Sequence, residues 1–143
     1  VHTVVLAHDE TSVLNIFGMY KRFHDNYKPF GGAIMLPRSR ALTDRIYFEY
    51  GGDPESSFIH IHTAGNATFG RSFRITNVHF SEFPYYPDTA GTLAAVMSAV
   101  PKLPETCAVI EGTAKTIGDP FHKMWQAAID PGQESEWLAI FNP

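Results

Sequence analysis

The sequence predicts an α+β domain, a curved and mostly antiparallel sheet or small β-barrel carrying three flanking helices. Three observations lead there. Strand-type runs follow one another from Arg45 to Phe80 with turn residues between them. Three separate stretches repeat apolar residues at helical spacing. The chain has 143 residues, enough for one domain, 1–143, that buries about two thirds of its unfolded surface.

In chain order, His2 to Ala7 is a β-branched run and reads as a strand. Asp9 to Ser12 supplies capping side chains for a helix whose Val13, Ile16, Phe17, Tyr20, Phe23 and Tyr27 recur at helical spacing, with Pro29 as its stop. Phe30 to Leu36 reads as a short strand, Pro37-Arg38-Ser39-Arg40 as a polar connection, and Arg45 to Tyr50 as a strand ended by Gly51-Gly52-Asp53-Pro54. The next two strands, Ser56–Thr63 and Thr68–Phe80, are expected to form a central hairpin across Ala64-Gly65-Asn66-Ala67. A second helix is expected from about Ala90 to Val100, capped by Asp88 or Thr89 and closed by Pro101 and Pro104. Cys107 to Gly112 reads as a buried-type strand. Asp119-Pro120 opens a third helix with Phe121, Met124, Trp125 and Ala128 in one stripe. Glu136 to Phe141 alternates as a last strand. Helices placed around a run of consecutive strands favour α+β over a doubly wound sheet.

Composition narrows the function classes. Net charge is −4 and no Lys/Arg cluster exceeds Lys21-Arg22, so the electrostatic footprint of a nucleic-acid binder is missing. No apolar run reaches the length of a membrane span, and a soluble protein is expected, cytoplasmic or secreted. The single cysteine, Cys107, excludes an internal disulfide and a paired-cysteine metal site. Asn66-Ala67-Thr68 is a glycosylation sequon, and the Val1 start fits a trimmed or a processed form alike. Aromatic residues make up 13% of the chain, with eleven Phe, more ring surface than core filling requires. A ligand pocket is one use for it.

The chemistry-bearing residues fall in the expected central hairpin. Alternation puts His60 and His62 on one strand face with Phe58, and Arg71, Asn77 and His79 on a face with Phe69, Phe73 and Ile75. Pairing Thr63 with Thr68 merges the two faces and sets His60 opposite Arg71. Pairing Tyr50 with Ser56 adds Ile46 and Phe48 to the same face. The leading expectation is a cofactor-free enzyme of isomerase, cyclase or lyase type, acting on an apolar or amphipathic small molecule with a polar or anionic handle. His60 and His62 would move protons, Arg71 would hold the anion, Glu111 would serve as a further catalytic carboxylate, and Phe48, Phe58, Phe69, Phe73, Asn77 and His79 would bind substrate. Glu111 interrupts an apolar strand with a charge, which calls for a partner or a function.

The pair His60-Ile61-His62 also resembles the two-imidazole metal motif of cupin barrels. That resemblance covers these two histidines only, since Thr63 to Phe69 contains no acidic residue of the kind the motif carries a few positions later. It implies one divalent transition metal held by His60 and His62 with His79 as a third ligand. A non-catalytic carrier of a hydrophobic ligand, and histidines merely satisfied by hydrogen bonds near the core, are the other readings. Trp137, Phe141 and the proline-tyrosine segment suit a homodimer.

Overall fold

A computed structural model describes residues 1–27, 36–65 and 74–141. Their element order is β1 (His2–Ala7), α1 (Glu10–Asn26), β2 (Arg38–Ala41), β3 (Arg45–Tyr50), β4 (Asp53–Thr63), β5 (Asn77–Phe80), α2 (Thr89–Met97), β6 (Cys107–Ile110) and α3 (Pro120–Ile129). A single 3-10 turn at Phe83–Tyr85 links β5 to α2. The expected α+β class with three helices stands. The expected barrel does not: the sheet is open, mixed and mostly parallel, in the order β2-β3-β4-β1-β5-β6.

β1 is the strand around which the sheet is built. It pairs in parallel with β4 on one side and with β5 on the other, and β6 extends β5, also in parallel. Val4, Val5, Leu6 and Ala7 are almost completely buried. Such a run, apolar on both faces, is the mark of a parallel strand covered from both sides. The expected hairpin between β4 and the following strand is therefore overturned, because β1 lies between them. Between residues 74 and 80 strand conformation is confined to Asn77–Phe80, and residues 66–73, which hold the expected turn and the sequon, lie outside the described residues.

The β3-β4 hairpin is present, but one residue out of the expected register. Gly51 and Gly52, at φ 65° and 84°, make a two-residue turn that sets Tyr50 opposite Asp53. β4 accordingly starts at Asp53; after a register shift between Phe48 and Tyr50, Tyr47 faces Phe58 and Ile46 faces Ile59. A one-residue slip exchanges faces. Arg45 and Tyr47 thus join Phe58, His60 and His62, while Ile46 and Phe48 move to the other side.

Each face of the sheet has its own core. Val5, Ile46 and Ile61 pack with Phe17 of α1, and Phe48 and Ile59 border them. On the opposite face, Val4, Leu6, Val78 and Phe80 pack with Phe83, Tyr86 and Val96, with Phe121 and Met124 of α3 alongside. The helices start where the side chains predict. Asp9 accepts a hydrogen bond from the Ser12 amide, Asp88 from that of Gly91 and Asp119 from that of His122. Helices thus cover both sides of the sheet, α1 on one and α2 and α3 on the other.

Other expectations are corrected at the edges. Arg38–Ala41 is an exposed edge strand rather than a connection. β6 is an edge strand with Cys107 and Val109 exposed, not a buried one. Glu136 to Phe141 is not a strand, and Leu138, Ile140 and Phe141 are exposed. The strand expected at Phe30 to Leu36 falls mainly on residues 28–35, outside the described residues; Leu36 itself is not in a strand. Among the described residues no helix is long and apolar enough to cross a membrane.

Candidate functional site

The parallel strands β4, β1, β5 and β6 all end at the same edge of the sheet. The chain leaves β1 to add β4 on one side and later adds β5 on the other, so the strand order reverses between β1 and β5. In open α/β sheets this topological switch opens a crevice outside the carboxyl ends of the strands, where ligands bind. Here the edge carries His8 and Asp9 after β1, Ser81 and Glu82 after β5, and Glu111 after β6.

Two hydrogen bonds lock these strand ends together. The Ser81 amide donates to the Leu6 carbonyl at 2.8 Å and the Glu111 amide to the Phe80 carbonyl at 3.0 Å. From there the chain turns sharply. Glu82 has φ 55° and ψ 42°, the only non-glycine residue at positive φ among those described. A left-handed conformation costs an L-residue roughly 1–2 kcal/mol, and such strain concentrates at functional sites. The turn directs Phe83 and Pro84 into the core and leaves Glu82 half-buried at the rim. Tyr85 beyond it lies 6.0 Å from the His8 ring and carries the Lys115 ammonium 4.9 Å above its own ring.

Glu111 is an oriented anion. It accepts from Ser81 Oγ at 2.5 Å, and His79 Nε2 lies 3.5 Å away. The bond from His79 holds the carboxyl below its ordinary range; half-burial opposes this, and Ser81 and the Glu82 backbone reinforce it. The carboxylate sits between serine and histidine, so the histidine does not touch the hydroxyl. This is not the order of a nucleophilic triad. Tyr86 is pushed well above the usual tyrosine range by burial and by Glu111, so its hydroxyl stays protonated and donates to the Leu6 carbonyl at 2.7 Å.

A second cluster lies farther along the same edge, on β3 and β4. His60 is almost completely buried, and its Nε2 is 2.9 Å from Asp44 Oδ2. Arg45 Nη2 is 2.8 Å from His60 Nδ1. One neutral tautomer satisfies both contacts, with Nε2–H donating to the carboxylate and Nδ1 accepting from the guanidinium. Burial brings the His60 pKa down to about 4 despite the pull of Asp44; His62 and Arg45 act in the same direction as burial. His62, half-buried with its ring centroid 4.1 Å from that of His60, is likewise lowered by burial. Burial is the largest influence on Asp44 and raises it, but the bond to His60, the charges of His60 and His62 and a backbone hydrogen bond together outweigh it, and the carboxyl lies below its ordinary value.

The structure thus divides the residues expected to form one site. Phe58, His60 and His62 share a face as expected, with His2 stacked on Phe58 at 4.2 Å between ring centroids. Phe48 lies on the opposite face, beside α1. Asn77 and His79 also lie on that opposite face, separated from β4 by β1, and Asn77 donates to Thr3 Oγ1 at 3.4 Å. His79 therefore cannot complete a metal site with His60 and His62; it partners Glu111 instead. Arg71, Phe69 and Phe73 lie outside the described residues.

Sequence reasoning missed Asp44, Arg45, Ser81 and Glu82. Asp44 fell between the elements and drew no reading, and Arg45 read as the plain start of a strand. The Gly51-Gly52 turn alone would set Arg45 opposite Phe58; an irregularity between Phe48 and Tyr50 shifts the register so that Arg45 meets His60, and nothing in the sequence marks that shift. Compared with known proteins, the chain matches no family model and no curated protein.

Proposed function

We propose that the protein is an enzyme that binds a small molecule with an anionic, phosphate-type handle, a nucleotide being the first choice, at the carboxyl edge of its parallel strands. The observation that carries this reading is the switch point between β1 and β5 with Glu82 held there in a left-handed conformation. Nucleotides occupy this crevice in doubly wound folds, which is an argument from fold and sets the ligand class only. The side chains set the chemistry. Asp9, Glu82 and Glu111 gather negative charge at the edge, so an anionic ligand would arrive with a divalent cation. Glu82, at the rim, is placed to take a proton from water or a hydroxyl, while Glu111, fixed by His79 and Ser81, orients what binds beside it. Asp9 is engaged in capping α1 and its role is structural.

The test is turnover of nucleoside triphosphates with Mg²⁺ by the full chain and by Glu82→Gln. Removal of a general base is expected to lower kcat by about 10²–10⁴-fold with little change in KM. Unaltered kcat in the variant would sink the assignment.

A second reading keeps proton-transfer chemistry of the isomerase, cyclase or lyase type at His60 and His62. The observation favouring it is Arg45, which supplies beside His60 the guanidinium that Arg71 was expected to provide. His62, the more exposed of the two, would then move the proton. The carrier reading gains no support, because Phe48 and Phe58, the described members of its aromatic wall, lie on opposite faces of the sheet.

A further inference from the structure

We propose that Asp44, His60 and His62 form a binding site for one divalent first-row transition metal. The site uses none of the residues of the carboxyl-edge reading above and stands apart from it. One ligand atom from each of the three residues lies within 4.8 Å of the others. The donor set is two imidazoles and one carboxylate, the combination that holds zinc or iron(II) with positions left open for water or substrate. Its geometry is fixed by backbone pairing. His60 and His62 project from one face of β4, and the Ile61 amide donates to the Asp44 carbonyl at 2.9 Å, which ties the residue before β3 to the strand carrying both histidines. An ion would enter past Asp44, whose side chain is 39% exposed against 3% for His60.

In the ion-free arrangement a proton occupies the place of the metal. His60 Nε2–H points at Asp44 Oδ2 across 2.9 Å. Coordination through Nε2 moves that proton to Nδ1, so the ring stays neutral and no proton is lost. Nδ1 is then a donor, and the Arg45 guanidinium that it now accepts from at 2.8 Å must withdraw. Arg45 thereby competes with the cation, by occupying Nδ1 and by charge. Once withdrawn, it can pair with an anion held at an open metal position.

The experiment takes the full chain, treated with chelator, and titrates it with Co²⁺, following heat and the visible absorption of the ion, with Zn²⁺ added afterwards. The expected result is one Co²⁺ per chain, displaced by Zn²⁺. His62→Gln and Asp44→Asn, both at partly exposed positions, should each weaken binding at least tenfold with an unchanged circular-dichroism spectrum, and Arg45→Gln should tighten it. His122→Gln, on α3, should leave it unaltered. Absence of stoichiometric Co²⁺ binding, or equal binding by the parent chain, His62→Gln and Asp44→Asn, would overturn the proposal and leave Asp44, His60 and Arg45 as a hydrogen-bonded structural network.

Discussion

Glu82 sits at φ 55°, a conformation in which glycine would rest without strain. Glu82→Gly should therefore fold at least as stably as the parent chain, while losing the activity that Glu82→Gln also loses. Chemical denaturation paired with the turnover assay measures both. A glycine variant that was less stable and fully active would show that the residue serves the turn alone. His60 makes the pH dependence explicit. Its folded pKa, about 4, lies below the ordinary 6.5, so between these values the unfolded chain binds more protons. The contribution to stability is complete above 6.5 and is lost as pH falls toward 4. Urea midpoints should fall between roughly pH 7 and pH 5, and His60→Gln should flatten that slope. An equal slope in the variant would place the titrating group elsewhere.

At the scale of elements, the register of the β3-β4 hairpin decides which residues meet. Gly51 and Gly52 both require positive φ, so Gly51→Ala with Gly52→Ala should cost roughly 1–2 kcal/mol per residue, read from denaturant midpoints. The helices were legible because their signals are local: Asp9, Asp88 and Asp119 sit at their caps, and the apolar spacing in α1 and α3 is regular. Strand identity was legible for the same reason at Arg45–Tyr50 and in the second half of β4. Strand partners were not. Whether β4 pairs with β1 or with the segment after it is a non-local choice, and a sequence that alternates along one strand carries no mark of its neighbour. The one usable mark was in β1, whose Val4, Val5 and Leu6 are apolar on both faces and thus ask for cover on both sides. The candidate site shared this fate. His60 and His62 stood out because alternation alone puts them together, and Glu111 because it breaks an apolar run. Asp44 and Arg45 reach His60 only through the hairpin register, and Glu82 is distinguished by a backbone angle that no residue type announces.

For the whole molecule, the topology separates two chemistries along one edge. The carboxylates lie where β1, β5 and β6 end, and the imidazoles lie on β4, on the sheet face that α2 and α3 cover. Each strand spacing is about 4.8 Å, so the outer members of the two groups stand on the order of 14 Å apart across β4, β1, β5 and β6. The central claim, that ligand binds at the carboxyl edge by the β1-β5 switch, is tested most directly by mapping backbone amide shifts of the full chain as a nucleoside triphosphate and Mg²⁺ are added. The largest shifts are expected at His8, Asp9, Ser81, Glu82 and Glu111. Saturating shifts confined to the Asp44, His60 and His62 cluster, or none anywhere at millimolar ligand, would contradict it.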